Sequence, residues 1–124
     1  MFKFEKLDVW NDSIQFSDSV YRLARSFPSD ERFGLTQQMR RSAVSIAANI
    51  AEGSSRSSST DFARFVEIAY GSLMETVSHA AIAQRQNFLL EEDYRDLIRS
   101  CGETRPHVDR SQENAQTAVT ASVP

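Results

Sequence analysis

Gln38-Met39-Arg40-Arg41-Ser42-Ala43-Val44-Ser45-Ile46-Ala47-Ala48-Asn49-Ile50-Ala51-Glu52-Gly53, followed by the Ser/Arg segment 54–59, is the stretch that decides the fold. Leu35, Met39, Ala43, Ile46 and Ile50 recur every three or four residues and so share one helical face. A second line, Val44, Ala47, Ala48 and Ala51, widens that face to most of the circumference. So much alanine and serine makes a thin helix, which lets neighbouring backbones come close on several sides. Gly53 is read as its left-handed C-terminal cap.

Outward from this rod, the pattern predicts three further helices. The first covers about 8–27, with Val9, Phe16, Val20, Leu23 and Phe27 on one stripe. Trp10, Ile14, Tyr21 and Ala24 form a second stripe, and Pro28 stops the helix. Residues 29–34 are a connector with acidic residues suited to one helical turn, and Gly34 allows the bend into the second helix. Ser58, three residues before Asp61, reads as a capping pair opening a long third helix over about 60–86. Its buried line is Phe62, Phe65 or Val66, Ala69, Leu73, Val77, Ala80, Ala81 and Gln84, and Asn87 ends it. Glu91, Glu92 and Asp93 suit the first turn of a fourth helix, whose apolar face is Tyr94, Leu97, Ile98 and Cys101. There is no strand period, repeat or glycine-rich phosphate loop. The expected fold is all-α: an antiparallel up-down-up-down four-helix bundle over residues 1–110, with a polar tail over 111–124.

Composition narrows the class. The 124 residues suffice for one domain with a modest core. No apolar run approaches the ~20 residues that span a bilayer, and the charged N-terminus lacks a signal-peptide core. A single cysteine, Cys101, makes no internal disulfide, which fits a reducing cytoplasm. The net charge of −3 is uneven. Residues 1–60 carry eight Lys/Arg against seven Asp/Glu, and 61–124 carry six against ten. Bulk electrostatics therefore give no help to nucleic-acid binding, which needs a local basic patch.

The candidate site residues each have two readings. Arg40 and Arg41 point about 100° apart, so one of them lies off the apolar face; they are either phosphate contacts or partners of Glu52 or Glu75 inside the assembly. Asn49, Glu52, Gly53 and Arg56 cluster at the end of the rod. A catalytic carboxylate at Glu52 competes there with a cap and an inter-helix polar network of Asn49, Glu52 and Glu75. Arg56 and Arg64, with the serines between them, suit an anion-binding loop beside the third helix. Glu75 and His79 share a face, but a bundle metal centre draws ligands from several helices; the other histidine is His107, so no metal and no cofactor are expected. No nucleophile triad or paired-carboxylate cleft is present, which points away from an enzyme.

The chain resembles the bacterial four-helix-bundle family first noted as reading frames within intervening sequences of large-subunit (23S) ribosomal RNA genes. The resemblance rests on Phe4-Glu5-Lys6-Leu7-Asp8-Val9-Trp10, Phe27-Pro28 with Glu31 and Gly34-Leu35, Gln38 through Ile46, Asn49-Ile50-Ala51-Glu52-Gly53, Phe62 through Phe65, and Gly71-Ser72 with Glu75. It implies a ring-shaped homopentamer of antiparallel four-helix bundles. It also implies a relative, the accessory protein of diversity-generating retroelements, that binds nucleic acid and a reverse transcriptase and is markedly basic. The resulting expectation is a non-enzymatic cytoplasmic scaffold that contacts RNA or DNA through Arg40, Arg41, Arg56 and Arg64. The alternative is a protein–protein interaction module without nucleic-acid affinity. On this reading Ala48→Leu costs ~1–3 kcal/mol by overpacking and shifts the oligomer distribution, which sedimentation velocity reads directly.

Overall fold

The computed structural model describes residues 1–101, and the polar tail, His107 and any extension of the fourth helix past Cys101 lie outside them. Among the described residues there are four α-helices and no strand: α1 Asp8–Ala24, α2 Leu35–Ser54, α3 Ser59–Arg85, and α4 from 91 to the end of the described chain. Single 3-10 turns at Lys3–Lys6 and Ser29–Glu31 precede α1 and α2.

The ends of the helices are set by local chemistry. Glu31 Oε2 accepts the Leu35 N–H at 3.1 Å, so a side chain from the connector satisfies an otherwise open donor of α2. Ser58 Oγ accepts the Asp61 N–H at 3.1 Å at the start of α3, as the sequence predicts. At the other end of α3, Asn87 has φ 64, the Phe88 N–H reaches Ala83 O at 2.9 Å and the Asn87 N–H reaches Gln84 O at 3.1 Å. That pair of bonds is a Schellman closure, with asparagine tolerating the left-handed position. It throws Phe88 back toward Phe27, and the two rings meet at 6.1 Å.

Cross-helix contacts give the packing. Ser17 Oγ donates to Ala43 O at 3.2 Å, tying α1 to α2. Ser42 and Thr76 hydroxyls meet at 2.7 Å, and those of Ser45 and Ser72 at 2.9 Å, tying α2 to α3. With Arg40 of α2 over the Tyr21 ring of α1 as a second contact between those two helices, residue numbers rise on one helix as they fall on the other in both helix pairs, so α1, α2 and α3 are successively antiparallel. The core is built from Val9, Phe16, Val20, Met39, Ala43, Ile46, Ile50, Val66, Ala69, Leu73 and Ala80, joined by Leu89, Leu97 and Cys101 from the final corner and α4. The N-terminal turn folds onto this core through Phe4 against Trp10, ring centroids 4.9 Å apart.

Four readings need correction. Gly53 is not a left-handed cap: α2 continues through Ser54, and no glycine among the described residues has positive φ. Its role is proximity, because a Cβ there would stand 2.6 Å from Phe65 Cβ and 3.0 Å from Phe62 Cδ1. The second apolar line of α2 splits: Ala47 is buried, whereas Val44 and Ala48 face out of the protomer. On α1, Ile14 and Tyr21 are exposed, and Ser13 takes a core position by donating its hydroxyl to Trp10 O at 2.6 Å. On α3, Thr76 and Ala83 belong to the buried line that the pattern assigned to Val77 and Ala81, which are half-buried.

Gly53→Ala should therefore destabilise the protein. Overpacking costs ~1–3 kcal/mol, which outweighs the ~1 kcal/mol that alanine otherwise gains over glycine inside a helix. A thermal melt lowered by about 5 °C is expected, and an unchanged or raised Tm contradicts the assignment.

Candidate nucleic-acid interface

The proposed arginines separate into two groups, one around the C-terminal end of α2 and one in its first half. At its C-terminal end, Arg56 Nη2 bonds Glu52 Oε1 at 3.1 Å, and its guanidinium lies 5.0 Å from the centre of the Phe65 ring. Both members of that ion pair are about half exposed, at 45% and 56%, so it contributes only ~0–1 kcal/mol. Arg64 is exposed one turn into α3. Arg56 is thus already engaged within its own chain, and Ser58 is engaged as a cap.

Within the protomer Asn49, Glu52 and Glu75, expected as one polar network, each take a partner four residues away in sequence. Asn49 Nδ2 donates to Ser45 O at 2.8 Å and Ser45 Oγ at 2.9 Å, one turn back on its own helix. Glu52 goes to Arg56, and Glu75 Oε2 meets His79 Nε2 at 3.3 Å. Each of these is a local i,i+4 contact, as helix geometry favours. Among the described residues no cluster of three or more His, Cys, Asp or Glu could hold a metal ion.

The first half of α2 is different. Arg40 lies over the Tyr21 ring of α1 at 5.0 Å, with its Nε buried and lacking a hydrogen-bond acceptor. Arg41, one residue on, is exposed. Neither pairs with Glu52 or Glu75, the partners the sequence suggested. Among the described residues no carboxylate lies within ion-pairing distance of Arg32, Arg40 or Arg41. Tyr21, Arg32, Phe33, Gln37, Arg40, Arg41, Val44, Ser45 and Ala48 line an open groove of about 640 Å³ between α1, the connector and α2. Arg32 stacks on Phe33 at 5.4 Å. The sequence reading missed Tyr21, Arg32 and Phe33; the visible signal was an Arg-Phe pair beside a glycine in a connector otherwise read as a bend.

The sequence profile of the 23S rRNA-intervening sequence proteins matches residues 5–110. The chain belongs to that family. A crystal structure of a protein of unknown function from the S23 ribosomal protein family of Bacteroides thetaiotaomicron VPI-5482 has a similar fold, with a TM-score of 0.73 at 25% identity, covering 81% of this chain and 94% of that one. A search of curated proteins found no match. No helix among the described residues is long and apolar enough to cross a membrane.

Because the Glu52–Arg56 pair is solvated, Glu52→Gln should shift stability by no more than ~0.5 kcal/mol. Urea titration measures this, and a loss of several kcal/mol would show Glu52 to be a structural anchor instead.

Proposed function

We propose that this family member is a non-enzymatic, self-associating four-helix scaffold that contacts RNA or DNA through arginines of α2 and its surroundings. The observation that carries the reading is the outward face of α2. It combines Arg40 and Arg41, lacking carboxylate partners among the described residues, with Val44 at 47% exposure and the exposed Ala48. Counter-charge and apolar cover are both missing among the described residues, and an assembly in which a polyanion supplies the first and a neighbouring copy the second meets both needs. The reading includes a homopentameric ring, a cytoplasmic location and a relation to the retroelement accessory proteins.

A neighbouring copy is supported by α3. Ile68 is 46% exposed, and Gly71 presents a position where a Cβ would meet nothing within 4 Å. Glycine inside a helix costs ~0.5–1 kcal/mol relative to alanine, and no contact among the described residues uses the missing side chain. A close approach from another chain does use it. The competing reading, a protein-interaction module with no nucleic-acid affinity, draws on the net charge of −3.

Two measurements decide between them. Retention on immobilised structured RNA at low salt should fall steeply as salt rises; no retention at low salt leaves only the protein-interaction reading. Gly71→Ala should raise the melting temperature of the dissociated protomer while weakening self-association, and Ala48→Leu should act on association alone, since its side chain is exposed in the protomer. A wild-type protein that sediments as a monomer at every concentration removes the scaffold from the proposal.

A further inference from the structure

We propose that the groove between the end of α1, the connector and the first half of α2 receives an unpaired RNA strand. Its phosphates would lie against Arg40, Arg41 and Arg32, and one base against Phe33. The inference rests on the nucleic-acid reading above and narrows it to one site and one strand form.

Three observations converge on this groove. Its arginines form no ion pair with a carboxylate among the described residues, and Arg40 keeps a buried Nε donor unmatched, so the wall presents guanidinium groups that a phosphate can meet. The carboxylates nearest in sequence are Asp30 and Glu31, and Glu31 is held by the Leu35 N–H. Phe33 is 81% exposed, with Arg32 stacked on the ring. A solvent-facing aromatic beside guanidinium groups is the arrangement on which splayed-out bases stack, and stacking needs a base that has left its duplex. Gln37, one turn before Arg41 on the same wall, both donates and accepts, which suits a ribose 2′-hydroxyl. The apolar end of the face, Val44 and Ala48 with Ile68 and Gly71 of α3, is left for a neighbouring copy.

The test is fluorescence anisotropy with the full chain and a labelled ten-nucleotide oligouridine. Parallel arms use a blunt RNA duplex and the matching oligodeoxyuridine. Binding should be tighter to the single RNA strand than to either. Phe33→Leu should weaken it about fivefold or more without changing the melting temperature or sedimentation. Arg41→Gln should lower the slope of log affinity against log salt by about 0.7, whereas Arg56→Ala should have a small effect. No salt-sensitive binding to any RNA overturns the nucleic-acid reading itself. Binding that ignores Phe33→Leu and Arg41→Gln but is lost with Arg56→Ala and Arg64→Ala leaves that reading standing and overturns this site. Equal binding of the duplex, or of the deoxy strand, overturns the strand assignment. Variants that alter only sedimentation assign the groove to contacts between copies and overturn the proposal.

Discussion

The close approach of α2 and α3 is the constraint from which the remaining structure follows. Two helical backbones come together where small residues stand at the points of closest contact, and here those are serine, threonine and one glycine. Ser42 meets Thr76, Ser45 meets Ser72, and Gly53 accommodates Phe65. The hydroxyls also bond carbonyls of their own helices, Ser42 to Met39 O and Thr76 to Ser72 O, so the buried polar atoms at this seam are satisfied. Between those small residues α2 supplies the largest fully buried side chains, Met39, Ile46 and Ile50, and they meet Phe16 and Val20 from α1, Leu73 from α3 and Leu97 from α4.

Most of this architecture was legible in the sequence, because periodicity and capping chemistry are local signals. The Ser58 cap, the Asn87 terminator and the acidic start of α4 were all readable from residue type and spacing. What failed depended on distance between elements. Gly53 has the residue type of a cap, and only the proximity of Phe65 reveals its other use. The exposure of Val44 and Ala48 could not be read from their apolar character, since which side of a thin helix is covered depends on where its neighbours cross. Thr76 was passed over because a hydroxyl lowers any hydrophobic pattern, yet its partner on α2 makes it fully buried.

The candidate site was less legible for the same reason. The apolar surroundings of Arg40 and Arg41 suggested that one of them would pair with Glu52 or Glu75, but within the protomer both carboxylates take partners four residues on in sequence. Local i,i+4 geometry satisfied the acids first and left the two arginines beside residues contributed by other elements, Tyr21 from α1 and Arg32 and Phe33 from the connector. The proposed face is thus a product of tertiary assembly, with only its α2 component marked in the primary sequence.

The two hydroxyl pairs between α2 and α3 act together as a vernier. Sliding one helix past the other by a single turn, about 5.4 Å, would keep one hydroxyl match at most, Ser42 against Ser72 or Ser45 against Thr76, and strip the other two hydroxyls of their cross-helix partners. Sliding α2 would also carry Arg40 off Tyr21, so its longitudinal setting and the mouth of the groove are fixed by the same few oxygens.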